Sequence, residues 1–292
     1  MYIDLTQLDE LIYIYHKEMS NKNYSDSKKI EAIQNLTLMN DDFMTIMFDE
    51  NYSLVEYILK TVLQKDLKVI KVITQDYVVN IFYKRVIYDV YAVDAEGVHY
   101  DIEIQRSRDG ASFKRARFHS SLMDSRLLDR GEKNWDKLPE QYVIFFIEKD
   151  IFGDDEPIYH IESVILEREE NTRFNDGRHI IYVNCEYLKN HPEPENELDK
   201  LIHDMQCEDV NKIYSKEIKD RMTYLKNPES EGFGKMSEWS ESYYKEGLEQ
   251  GTQSEKQATI LSMLEKNLPA ELIAECTRTT VEEVKKIIAN NK

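Results

Sequence analysis

With 292 residues, 41% of them apolar, and with 19 tyrosines and 10 phenylalanines, the chain has material for one or two folded domains and is not of disordered composition. Its formal net charge of −18 excludes a protein that is basic overall, so any phosphate contact has to come from a local patch of Lys and Arg. No apolar run approaches the roughly 18–20 residues of a membrane span, and no basic-then-apolar leader pattern opens the chain. Cys185, Cys207 and Cys276 are too scattered for a disulfide framework or a paired-cysteine metal site, and cytoplasmic residence without membrane contact is expected.

Residues 1–38 read as peripheral helices, with Leu8, Leu11, Ile12 and Tyr15 forming one apolar stripe. Asn40-Asp41-Asp42 offers an N-cap to a short helix through FMTIMF, and SLVEYILKTVL makes the next, burying Leu54, Ile58 and Leu63. Glu56 lies on that second helix, where a carboxylate either reaches a neighbouring metal site or is simply solvated. Leu67–Gln75 begins a sheet and Tyr77–Lys84 can add to it. Val86–Arg106 then reads as two strands joined by a tight turn. Ala111–Leu128 is a helix with Phe113, Ala116, Leu122, Met123 and Leu127 facing inward, and with Lys114, Arg115 and Arg117 in its first half. The nearly continuous apolar run Gln141–Glu148 suits a central strand, and PIYHIESVILE and HIIYVNCEYL supply two more. From Glu195 the chain reads as helical. Leu198, Leu201, Ile202 and Met205 mark one helix, and Val210, Ile213, Ile218 and Met222 the next. Ser237–Leu264 is a long charged helix interrupted by Gly247 and Gly251. Two short helices follow, with Thr280 and Glu283 spaced as a capping box.

The hairpin is where the pattern is unusual. Val98, Tyr100, Ile102 and Ile104 alternate with His99, Asp101, Glu103 and Gln105, and Asp89 is embedded among Ile87, Tyr88, Val90, Tyr91 and Val93. Carboxylates in strands this apolar are costly unless something pairs with them, and a divalent cation is a common partner. A three-residue loop, Ala95-Glu96-Gly97, with Gly97 in the left-handed conformation, pairs Asp94 with Val98 and sets Asp89 opposite Glu103 on one face. A two-residue loop at Ala95-Glu96 puts the two acids on opposite faces. An acidic face that is merely solvated is the alternative to a site.

Asp89 and Glu103 are thus candidate ligands for Mg2+, with Mn2+ as a substitute. Phosphodiester hydrolysis needs such an anionic pair, because the metal acidifies its water and neutralises charge on the phosphate. Gln105, on the face of Glu103, can orient that water. A basic island follows at once: eight Lys and Arg against four acids from Arg106 to Lys133, including Lys114, Arg115 and Arg117 as phosphate contacts for DNA.

The order D…ExQ after a helix and a first strand resembles the PD-(D/E)XK nuclease superfamily, and within it the transposase-like branch also called recombination-promoting nucleases. NDDFMTIMF is similar to that branch's opening D-x-x-F-K-x-x-F segment, with Met44 in place of its Lys. IEIQR matches its hallmark. RARFHSSLMDSRLL resembles the helix that follows, with His119 where Tyr is common, and QYVIFFI and PIYHIE resemble its later strands. The spaced glycines and terminal helices from Gly247 onward are similar too. The resemblance implies an α/β fold with a mixed central sheet flanked by helices (a restriction-endonuclease-like core), and Mg2+-dependent DNA cleavage. It implies that Asp89 and Glu103 hold the metal, that Gln105 replaces the superfamily's lysine, and that Asp42 or Glu56 supplies the opening carboxylate.

The expected organisation is a helical extension at 1–39, a nuclease-like core at 40–190, a helical extension at 191–264 and a small helical tail at 265–292. That tail is either helix-turn-helix-like or a surface for homo-oligomer formation. The function expected is a DNA endonuclease that promotes recombination or transposition. The alternative is a catalytically silent nucleic-acid-binding or assembly protein that keeps the nuclease fold.

Overall fold

The apolar runs form strands β1 (Val69–Val78), β2 (Val86–Asp94), β3 (His99–Gln105), β4 (Gln141–Ile147), β5 (Ile158–Ile161) and β6 (Arg178–Asn184). They make one mixed sheet in the order β1-β2-β3-β4-β6-β5. β1, β2 and β3 are an antiparallel meander, β3, β4 and β6 run parallel, and β5 pairs antiparallel with β6 at the edge. The computed structural model behind this description covers residues 26–78, 86–107, 110–128, 131–168, 172–237, 259–264, 268–277 and 279–290. The expected stripe at Leu8–Tyr15 and most of the expected helix at Ser237–Leu264 lie outside those residues.

The chain divides into two units, Met1–Phe233 and Gly234–Lys292, each described by itself. In the first, helices α1 (Asp26–Gln34), α2 (Asp41–Phe48), α3 (Tyr52–Leu63), α4 (Phe113–Leu127), α5 (Glu197–Gln206) and α6 (Lys216–Lys226) surround the sheet. Helix α4 lies on β4 and β6, and its Ala116, Leu122 and Met123 join Val143, Phe145, Ile147 and Tyr182 in one core. Strand residues of the other parity, Ile102, Ile104, Ile144 and Phe146, are equally buried, so the sheet is covered on both faces. Helices α2 and α3 meet β1, and α5 and α6 pack in turn on α3. The buried Lys226 ammonium ties this helical layer together, donating to the carbonyl oxygens of Gln34 (2.7 Å), Leu36 (2.6 Å) and Glu208 (2.8 Å).

Several local readings need correction. Phe113 is 55% exposed rather than inward; it opens α4 with its ring against those of Phe152 and Tyr182. Asn40 precedes α2 but its side chain accepts from the Thr37 N–H and hydroxyl instead of capping the helix. Val210 and Ile213 do not belong to α6. The buried Asp204 carboxylate takes the N–H groups of Tyr214 and Ser215, so a new helix starts only at Lys216. PIYHIESVILE stops being a strand at Ile161, and only the Val164–Arg173 bridge continues it, as suits an edge with few buried side chains.

In the second unit, α7 (Ala270–Cys276) and α8 (Val281–Asn290) pack through Ile273, Ala274 and Val284, with Ile260. Thr280 caps α8 through a 3.1 Å bond from the Glu283 N–H, while the Glu283 carboxylate pairs with the Thr279 hydroxyl. No helix among the described residues is long and apolar enough to cross a membrane.

Candidate metal centre

The turn between β2 and β3 is the three-residue one. Gly97 has φ +83°, and the Asp94 N–H donates to the Val98 carbonyl at 3.1 Å. Asp94 is itself the brace of this turn. Its buried carboxylate accepts from the N–H groups of Glu96 and Val98, both at 2.9 Å, and from the Tyr100 hydroxyl at 2.7 Å. The ladder then runs Val93–His99, Ala92–Tyr100, Tyr91–Asp101 and Val90–Ile102.

One step further in the same register, Asp89 faces Glu103, and there side chains replace the backbone ladder. Ile104 N–H donates to Asp89 Oδ2, and Asp89 N–H donates to Glu103 Oε1, each at 3.0 Å. The ladder to β1 is interrupted at the same point. It passes from Thr74–Val90 to Asp76–Tyr88, and the residue skipped, Gln75, has φ +51°. The register is unchanged on either side, and the Tyr88 hydroxyl donates to the His119 carbonyl at 3.1 Å.

Helix α4 covers the acidic face, so the face is not solvated. Asp101 and Glu103 are fully buried and His119 nearly so. His119 Nδ1 lies 2.8 Å from Asp101 Oδ2 and 3.6 Å from Glu103 Oε1. The Arg115 guanidinium, one helical turn earlier, donates to Glu103 Oε2 (2.8 Å), Gln105 Oε1 (3.0 Å), the Gly110 carbonyl (3.3 Å) and His119 Nε2 (3.3 Å). A ring nitrogen that accepts from arginine carries no proton, so His119 is protonated on Nδ1, facing Asp101.

Three carboxylates crowd this pocket of low polarity. Burial, ahead of hydrogen bonding, pushes Asp89 up to about 6, with the charge of Asp41 adding to the rise and that of Arg115 opposing it. Asp101 and Glu103 are held well above the usual carboxylate range, first by burial; the charge of Asp89 raises both and that of Asp101 raises Glu103, while hydrogen bonding to Glu103 opposes the rise at Asp101. Among the described residues, one arginine and one imidazole hydrogen-bond to this group.

Asp101, Glu103 and His119 each offer one ligand atom, all within 4.8 Å of one another. Asp101 Oδ1 is buried with no hydrogen-bond partner among the described residues. Two carboxylates, an imidazole and an unsatisfied buried oxygen suit a divalent cation, which would satisfy that oxygen and neutralise the charge.

Of the residues expected from sequence, Asp89, Glu103, Gln105 and Arg115 come together. Lys114 and Arg117 stand exposed on α4 beside them. Asp42, in the first turn of α2, is pushed up to about 6 by burial and by Asp41, whose charge also reaches Asp89. Glu56 is elsewhere. It accepts from the Val69 N–H at 3.0 Å and pairs with Lys60 and Lys68, each at 3.1 Å. Val69 is paired with Asp94, five residues along β2 from Asp89, which is roughly 17 Å. His99 also lies at that end, bonded to the Tyr91 hydroxyl. Two members of the centre, Asp101 and His119, had no role in the sequence reading. Asp101 shares the strand face of Glu103 two residues away, and His119 is one helical turn from Arg115.

Residues 47–242, about two thirds of the chain, match the family model of the PD-(D/E)XK nuclease family transposases. The matched span contains every residue of the centre except those of α2's first turn. No match was found among curated proteins or among solved structures. The mixed six-stranded sheet with flanking helices is consistent with the restriction-endonuclease-like α/β fold.

Proposed function

Because this chain belongs to the PD-(D/E)XK nuclease family transposases, we propose that it is a divalent-metal-dependent DNA endonuclease serving recombination or transposition. The observation that carries the proposal is the buried acid group on two hydrogen-bonded strands, with one carboxylate oxygen left without a hydrogen-bond partner among the described residues. Asp89 and Glu103 are the ligands, Asp101 and His119 complete the donor set, and Mg2+ is the ion, with Mn2+ as substitute. Bound there, the ion supplies an acidified water and a counter-charge for the phosphate. Gln105 orients the nucleophilic water, and its position is supported by the Arg115 bond and by Gly110, where an added Cβ would lie 2.0 Å from Gln105 Oε1. Lys114 and Arg117, exposed on α4, hold the phosphate backbone of DNA; such contacts position the duplex without reading its sequence.

A second reading, a catalytically silent nucleic-acid-binding or assembly protein with the same fold, is favoured by the net charge of −18. Nicking or linearisation of plasmid DNA in Mg2+ separates the two. The wild type should cleave, while Asp89→Ala, Glu103→Ala and Asp101→Ala should each lose at least about 100-fold, as expected when a metal ligand or its support is removed. Equal rates in the wild type and the Asp89 and Glu103 variants sink the endonuclease assignment.

A further inference from the structure

Arg115 was expected as a phosphate contact for DNA, yet its guanidinium is turned towards the buried acids. It satisfies three acceptors that converge on the candidate metal centre: Glu103 Oε2, Gln105 Oε1 and His119 Nε2. We propose that Arg115 competes with the divalent ion for Glu103, so that loading the centre requires this one side chain to withdraw. The inference rests on the reading of the site as a metal centre.

The geometry supports competition rather than coexistence. Glu103 is fully buried; its Oε1 already accepts the Asp89 N–H, and Oε2, the oxygen without a backbone donor, is the one that Arg115 holds at 2.8 Å. A guanidinium and a divalent ion sharing that oxygen would be like charges within a few ångströms in a poorly screened pocket. The partner able to move is the arginine. Its side chain is 36% exposed and springs from the first turn of α4, whereas Glu103 is fixed within β3. Withdrawal also breaks the Arg115 bonds to His119 Nε2 and Gln105 Oε1, so a single rotamer change alters the ligand and the water-orienting amide together.

Mn2+ binding to the full chain, measured by titration calorimetry, tests the proposal on the wild type, Arg115→Gln and Arg115→Lys. Removing a competing charge-assisted hydrogen bond should make Arg115→Gln bind Mn2+ about tenfold or more tightly than the wild type, with Arg115→Lys in between. The melting temperature in EDTA should fall in Arg115→Gln while the rise on adding Mn2+ grows. An arginine with only a packing role would lower the first without raising the second. Affinity for Mn2+ that is unchanged or weaker in Arg115→Gln overturns the proposal. Should that variant fail to fold, Arg115→Lys decides by the same criterion. Absence of Mn2+ binding in the wild type and both variants overturns the metal-centre reading and the inference with it, an outcome distinct from unchanged affinity.

Discussion

Replacing Asp89 with asparagine should make the protein more stable while it abolishes the proposed chemistry. Burial raises the Asp89 carboxyl from 3.8 to about 6. The folded state therefore holds a proton that the unfolded state releases at lower pH, so the stability this group contributes is complete below about pH 4 and is lost as pH rises through about 6. Roughly two pKa units correspond to about 3 kcal/mol of stability forfeited by the ionised carboxylate. Asparagine keeps an oxygen for the Ile104 N–H and carries no charge. Urea unfolding in EDTA should show Asp89→Asn more stable than the wild type by up to about 3 kcal/mol near pH 7.5, with the gap closing near pH 4. Saturating Mn2+ should narrow or reverse the gap at neutral pH, since an ion bound only to the folded wild type adds its own binding energy. A variant that is no more stable than the wild type at neutral pH in EDTA, or a gap that does not change with pH, would refute the account of an electrostatically strained site.

Two other substitutions probe the supports of the centre. Asp94→Ala strands the buried Val98 N–H and Tyr100 hydroxyl, at about 1–3 kcal/mol for each donor, and should both destabilise the chain and cut DNA cleavage, because the turn sets the register of Asp89 against Glu103. Wild-type cleavage in an Asp94→Ala protein of reduced stability would show that the register does not depend on this carboxylate. Lys226→Met keeps the apolar stem but removes the donor for three carbonyl oxygens, and should cost on the order of 3–5 kcal/mol in a thermal or urea melt. A loss below about 1 kcal/mol would mean that water replaces the ammonium.

What could be read from the sequence was what neighbouring residues decide. Gly97 selects the three-residue loop, and period-two alternation then brings Asp89 to Glu103 without knowledge of the rest of the chain. The centre's other half depends on how α4 is rotated over β3, which is a property of packing. Its basic residues read as phosphate contacts, yet Arg115 turns in while Lys114 and Arg117 remain out. In the sequence His119 stands out only where a Tyr is common, and its approach to Asp101 gives it a chemical context. Glu56 illustrates the converse. A carboxylate on a helix before the sheet fits the expected pattern, but the Val69 N–H and two lysines bind it at the far end of β2.

The exchange of two ladder hydrogen bonds for carboxylates means that the sheet carries its own spectroscopic probes. The amides of Asp89 and Ile104 are backbone groups whose bonding partners are the Glu103 and Asp89 carboxylates, so their nitrogen and proton resonances sense the electron density of those oxygens directly. Whatever protonates, displaces or coordinates either acid alters an amide that belongs to the strand pair. A reporter of occupancy is therefore built into the main chain, and it can be followed by isotope labelling without a single substitution in the centre.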